Sequence, residues 1–194
     1  MAANIIIQNI GKIDKIIMEQ ISVIEFSTRI QNAGEIAAFQ DLSFTFDFSI
    51  SQDNCKSKRL TFEKCKFSKT FEINNIDLTL GIAFNDCVFS EYLMIQGVTI
   101  SGQFVEPRID QRNNSFLIEN CKIDKALSMN SNQFLRDIKI EGSSIHELVI
   151  SNLTSTEGGF ILRKSIVEYY VTFEQCRFSD SIRFQEVNCK DSLR

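Results

Sequence analysis

Tryptophan is absent, proline occurs once at Pro107, and only eight of the 194 residues are glycine. Sandwiches and barrels assembled from hairpins spend glycine freely in tight turns, so this scarcity argues against them. Histidine also occurs once, at His146, and no short Cys-x-x-Cys type pair exists, which leaves zinc without a ligand set. No apolar run approaches the ~18 residues of a membrane span. The start, Met1-Ala2-Ala3-Asn4-Ile5-Ile6-Ile7, lacks the positive region and long apolar core of a signal peptide. These absences lead to the expectation of a cytoplasmic protein with no membrane association. A basic stripe is missing too. With a formal net charge of −4, duplex nucleic acid is not expected as a direct ligand. G-x-S-x-G, Walker, H-E-x-x-H and dinucleotide fingerprints are all missing, and no cofactor is expected.

What the chain has in quantity is apolar residues, 43% of the total, with 17 Phe and six Cys, enough for a sizeable core in one domain. They are arranged periodically. Leu60-x-Phe62-x-x-Cys65-x-Phe67, Phe71-x-Ile73-x-x-Ile76-x-Leu78, Ile82-x-Phe84-x-x-Cys87-x-Phe89 and Leu93-x-Ile95-x-x-Val98-x-Ile100 each begin eleven residues after the last. Repetition at a fixed period is the mark of a stacked architecture. First and third places are two apart, as are sixth and eighth, so each pair faces one side of a short strand. Between the pairs stand Glu63-Lys64, Asn74-Asn75, Asn85-Asp86 and Gln96-Gly97, which read as corners because Asn and Gly tolerate a left-handed backbone. A leucine-rich repeat carries such a signature once per 20–29 residues with a different connecting segment, and it is rejected on that ground.

The sixth place sets the number of units per coil. It runs Cys65, Ile76, Cys87, Val98, then Cys121, Asn132, Ser143, Leu153, Ser165, small at every second unit. Two units per turn put the small residues in one stripe and give a four-faced coil of 22 residues, wide enough for stacked Phe rings; three units per turn is the alternative. Cys65, Cys87, Cys121 and Cys176 all fall on inward places, where a thiol packs as a small hydrophobe. A structural role is therefore expected for them, and a reducing compartment keeps Cys65 and Cys87 apart even if they stack.

Taken in order, Ile16-x-Met18-x-x-Ile21-x-Val23 reads as a full unit, against a competing amphipathic helix over 13–24. Residues 26–36 read as an irregular bend, 51–59 as a polar surface loop, 101–115 as an excursion loop and 154–159 as another bend. The excursion is preferred to half a coil because it lets the stripe run on from Cys87 to Cys121. Leu148 arrives one residue early, and Leu193 falls where a further unit would begin. The whole of 1–194 reads as one β-solenoid domain. Neither end shows a polar cap, so the chain is expected to continue past Arg194 or to associate end to end with copies of itself.

Motifs such as Phe62-x-x-Cys65-x-Phe67 and Phe173-x-x-Cys176-x-Phe178 make the chain resemble pentapeptide-repeat proteins and related right-handed quadrilateral β-helices, with eleven residues standing in place of the family's five-residue period. The resemblance implies a right-handed, four-faced solenoid, usually non-catalytic, with some relatives that mimic duplex DNA and bind gyrase. The expected function is a non-enzymatic protein-binding or scaffolding module whose partner is a protein. One alternative is a DNA mimic acting on a topoisomerase. The other is a carbohydrate-active enzyme using Glu119 and Glu141, which are 22 apart with Arg163 following, although a solvated charge ladder accounts for the same residues. Candidate binding residues are the outward apolar Val88, Met94, Leu117, Val149, Ile161 and Ile166 and the corner pair Tyr169 and Tyr170. A candidate functional loop carries Pro107, Arg108, Asp110 and Arg112.

Overall fold

A computed structural model describes residues 18–102 and 114–193. Strand pairing is parallel at every described interface and joins places about 22 residues apart. Each coil has four walls. Wall 1 is a seven-stranded sheet that includes Arg59–Glu63, Gly81–Asn85, Asn114–Glu119, Asp137–Glu141, Phe160–Arg163 and finally Ile182–Gln185. Wall 4 is a five-stranded sheet of two-residue strands from Asp77–Leu78 to Arg177–Phe178. Walls 2 and 3 merge into one 13-stranded sheet because Lys122–Asn130 and Ser144–Ser151 run continuously round the corner between them. The described residues form a β-solenoid of about 7 stacked coils with one short helix. Two eleven-residue units per coil is therefore the observed arrangement.

The corners are made as the spacing requires. Lys64, Asn75, Asp86, Asn120, Ser131, Asn152, Lys164, Gln175 and Glu186 all have φ between 46° and 55°, and Gly97 and Gly142 have φ of 60° and 62°. Each occupies the second of the two places between apolar pairs, where the chain turns and the side chain after it is thrown inward. At Gly97 a Cβ would stand 2.5 Å from Asn75 Oδ1 one rung back, so both the backbone sign and the space favour glycine there.

Identical places stack into columns. Phe44, Phe67 and Phe89 lie with ring centroids 4.6 Å apart and planes within 5°, and Phe39, Phe62 and Phe84 stack at 5.2 and 5.1 Å. Such ring pairs add ~0.5–1.5 kcal/mol each beyond burial. Further along, the same columns change to Ile118, Ile140 and Leu162 and to Ile123, Ile145 and Val167, all buried.

A second column closes the corner between walls 1 and 2. The Cys65, Cys87 and Cys121 thiols donate to the carbonyls of Phe39, Phe62 and Phe84 at 3.6, 3.5 and 3.5 Å. The Cys87 N–H donates to Cys121 Sγ at 3.4 Å, the Cys121 N–H to Ser143 Oγ at 3.0 Å, and the Ser143 N–H to Ser165 Oγ at 3.2 Å. Thiol and hydroxyl are thus interchangeable in one ladder that satisfies corner amides with no access to water. The neighbouring Cys87 thiol and burial push the Cys65 thiol well above its ordinary value, and Cys121 and burial do the same for Cys87. These cysteines are structural. Asn132 does the equivalent work at the opposite corner: its Oδ1 accepts from the Val98 N–H at 3.0 Å and its Nδ2 donates to the Ile95 carbonyl at 2.9 Å.

Cys87 and Cys121 stand on adjacent rungs although 34 residues apart, twelve more than the usual 22-residue step, and the stripe of small residues passes directly from one to the other. The excursion expected over 101–115 falls largely on 103–113, outside the described residues. The early arrival of Leu148 is also real: it pairs with Leu127 after a register shift between Ile123 and Ala126.

Three expectations need correction. Val23 does not close a strand unit: Glu19–Ile21 is a strand, and Val23–Gln31 is an α-helix whose N-cap Ser22 Oγ accepts from the Glu25 N–H at 3.2 Å. The bend expected to open at Phe26 is that helix; of the competing helix over 13–24, residues 13–17 lie outside the described residues and Glu19–Ile21 is a strand. Second, the coil beneath the helix is capped. Phe26 and Ile30 are fully buried, and the Phe26 ring sits 4.8, 4.9 and 4.5 Å from Phe39, Phe44 and Phe48, one residue from each of three walls. The helix is a plug. Third, the 51–59 segment is not simply a polar surface loop. Cys55 and Ser57 are buried, with Ser57 Oγ donating to the Gly34 carbonyl at 2.9 Å.

Candidate functional site

In a solenoid with alternating in/out side chains, chemistry has only the outer walls and the two ends on which to act. The paired carboxylates come first. Glu119 and Glu141 are register partners on adjacent wall 1 strands, and Arg163 follows on the next. Glu141 is committed on both oxygens, to Lys139 Nζ at 2.9 Å and Arg163 Nε at 3.2 Å, and its side chain is only 17% exposed. A carboxylate clamped between two cations is poorly placed to exchange protons with a sugar oxygen, and the arrangement is that of a charge ladder.

The outward apolar residues do not form one patch. Leu117 and Ile161 are on wall 1, separated by the Lys139 rung, and both are buried at 2% and 6% exposure rather than open to solvent. Leu117 forms a small outer cluster with Ala83. Val88 and Ile166 are on wall 2 with the Lys122 and Ser144 rungs between them. Met94 and Val149 are on wall 3, flanking Ser128. Met94 also borders an open depression of ≈ 450 Å³ with Asp47, Ser49, Thr70 and Glu72, where Asp47 accepts from the Thr70 N–H at 3.0 Å and Ser49 Oγ from Asn74 Nδ2 at 2.9 Å. Pro107, Arg108, Asp110 and Arg112 lie outside the described residues.

Tyr169 and Tyr170 sit at the corner between walls 2 and 3 and do gather neighbours. The Tyr169 ring lies 5.1 Å from His146, and the Tyr170 hydroxyl donates to Glu147 Oε2 at 3.2 Å. Beside them His146, Glu168 and Lys190 form a column at 22-residue spacing, with Glu168 3.3 Å from His146 Nδ1 and 3.5 Å from Lys190 Nζ. The hydrogen bond from His146 and the Lys190 charge hold the Glu168 carboxyl below its ordinary value. On wall 2, Lys66 and Lys122 flank Val88.

Large apolar side chains are exposed around the helix, at Val23, Ile24 and Ile36, and again on the last described rung. In the column Phe160, Ile182 exposure rises from 0% to 44%, and in the column Leu162, Phe184 it rises from 0% to 40%. Phe173, Phe178, Val187 and Cys189 are only partly buried around them. The backbone edges of Arg177–Phe178, Ile182–Gln185 and Asn188–Cys189 have no further strand among the described residues. One end of the core is plugged by Phe26 and the other presents inward-type side chains to solvent. The sequence reading treated both ends alike and named no residue here. The signal was present, since Ile182, Phe184, Val187 and Cys189 keep the core pattern of the repeat.

Among the described residues no group of three or more His, Cys, Asp or Glu side chains is placed to share a metal ion. No helix among them is long and apolar enough to cross a membrane. Comparison with family models, with curated proteins and with solved structures gives no match for this chain.

Proposed function

We propose that this solenoid is a non-catalytic protein-binding or scaffolding module that works in the cytoplasm and takes its partner at the exposed rung that carries Ile182 and Phe184. The observation that carries the reading is the contrast within single columns: Phe160 and Leu162 are fully buried, while Ile182 and Phe184, one rung on, are 44% and 40% exposed. A core Ile or Phe gains ~1.5–3 kcal/mol on full burial, so covering the remaining surface of this pair is worth roughly 2 kcal/mol. The strand edges add main-chain donors and acceptors that a partner strand satisfies, the mode of β-augmentation. Clamping of Glu141 and the scatter of polar groups on the walls support a non-enzymatic role.

Affinity capture from the source cells tests this, using wild type, Phe184→Glu, Ile182→Glu and a wall variant, Tyr169→Ala. The expected result is a protein partner whose recovery falls at least tenfold with either end variant and is unchanged with the wall variant. A partner lost on substitution of Tyr169 and kept by the end variants would move the function to the corner and refute this reading.

A further inference from the structure

We infer that the open depression on wall 3 takes a lysine side chain of a protein partner, its aliphatic stem against Phe48 and Met94 and its ammonium between Asp47 and Glu72. The site is separate from the rung of Ile182 and Phe184 and does not rest on it. From Met94 the outward column of wall 3 runs on through Ser128 and Val149 before it reaches Thr172.

The register of the coil builds the depression. Phe48, Phe71 and Leu93 are partners on successive rungs. The residues just before them, Asp47, Thr70 and Tyr92, therefore form one column at the start of the wall. The residues just after them, Ser49, Glu72 and Met94, form the next, facing outward. Asp47, Thr70, Ser49, Glu72 and Met94 line the space, and the partly buried Phe48 sets an aromatic surface beside the Met94 thioether.

The negative charge in it is unspent. Asp47 uses one oxygen on the Thr70 N–H and keeps the other, and Glu72 has no side-chain hydrogen bond or ion pair among the described residues. The cations at hand do not neutralise them. Lys125 pairs with Glu91 at 3.7 Å and lies over the Tyr92 ring at 5.8 Å. Lys69, next to Thr70 in the chain, is exposed and pairs with neither carboxylate. Glu141 and Glu168, by contrast, each contact two basic side chains. Two unpaired carboxylates beside aromatic and thioether surface match a group that is apolar along its length and cationic at its tip.

Lysine fits better than the other cations. An arginine fork wants both oxygens of one carboxylate, and one oxygen of Asp47 is taken by the backbone, whereas an ammonium is a point charge that serves two carboxylates at once. A metal ion wants more ligating side chains than the two carboxylates, and no group of three is placed for it among the described residues. A free amine would be poorly enclosed, because small-molecule sites bury most of their ligand and this depression is open on its outer side. A side chain delivered by a larger surface is held in place by its own neighbours.

Methionine-methyl NMR of the full chain reads the site, because Met94 lines it and Met129, fully buried in the core, reports on the fold. The probe is tetralysine. Its control is the same peptide acetylated on every side-chain amine, which keeps the stem and removes the charge. In about 20 mM salt, where surface charges are weakly screened, tetralysine should shift the Met94 methyl saturably with a Kd of about 1 mM or tighter and leave Met129 in place. The acetylated peptide on wild type, and tetralysine on the double variant Asp47→Asn, Glu72→Gln, should each bind at least about tenfold more weakly, while Glu119→Gln on wall 1 binds as wild type. If Met129 shows that the double variant has lost its fold, the acetylated peptide alone decides. No saturable shift of Met94, equal binding of the acetylated peptide, or binding unchanged in a folded double variant overturns the inference. So does spermidine binding more tightly than tetralysine, which would assign the site to a free amine.

Discussion

Replacing Phe26 by Ala removes the plug while leaving every strand in place. The ring is fully buried and lies within 4.5–4.9 Å of three other rings on three walls. Phe→Ala in a close-packed core costs ~3–5 kcal/mol, the transfer of the ring plus the cavity it leaves. At the lower figure an equilibrium shifts by roughly 10²-fold. In a stack held by nearest-neighbour contacts this loss falls on the coils next to the cavity and not on the whole molecule. Peptide-resolved hydrogen exchange is therefore the assay. Peptides spanning 19–50 should exchange about 100-fold faster in Phe26→Ala, while those spanning 138–167 keep their wild-type rates. An equal acceleration along the whole chain would show that the rungs unfold as one unit. Acceleration of less than tenfold near the helix would show that Phe26 does not seal the core. Either result refutes the reasoning.

Asn132→Ala should lower stability by about 2–4 kcal/mol in urea denaturation, because it leaves the Val98 N–H and the Ile95 carbonyl buried without partners, each worth ~1–3 kcal/mol; a loss under 1 kcal/mol would mean that water replaces the amide. Native thiol titration should find Cys176 and Cys189 reactive and Cys55, Cys65, Cys87 and Cys121 silent until the chain unfolds, because the last four are buried and burial raises the Cys55 thiol as well. Rapid labelling of Cys65 or Cys87 in the native state would contradict the ladder. Glu168 has its folded value held below the ordinary 4.5, so its contribution is present above that value and is lost as pH falls through the lower folded one. Glu168→Gln should accordingly flatten the acid limb of stability against pH, while an unchanged limb would show that the His146–Glu168–Lys190 column contributes nothing.

The coil was legible because its causes are local and repeated. An apolar pair two residues apart, a corner and a second pair recur so often that the period survives degenerate units, and the small residues from Cys65 to Ser165 report the rung step through one shared corner. The helix was harder to see because Ile21 belongs to a strand and Val23 to a helix, so an apolar pair at strand spacing straddles the boundary. The signal that marks it is Ser22-x-x-Glu25, a capping-box spacing, with Arg29 following in the last turn. The outer walls were less legible. Outward direction was readable at Leu117 and Ile161, but their burial depends on what lies over a wall, which in/out alternation does not encode. The separation of Val88 from Ile166 and of Met94 from Val149 follows from counting rungs, and it turns one supposed patch into isolated residues.

The 22-residue coil is tested most directly by one distance. Ser49 and Thr172 face outward on wall 3 and are linked through Glu72, Met94, Ser128 and Val149, each the register partner of the next. Five strand spacings of ~4.8 Å put their Cα atoms about 24 Å apart. Spin labels at these two positions, with Cys176 and Cys189 replaced by Ser, give that distance by pulsed electron resonance. The account predicts a single narrow distribution near 24 Å, within the few ångströms the label arms add. A coil of one eleven-residue unit would double the number of rungs and place the labels near ~48 Å, and a distribution centred there, or a broad one, would contradict it.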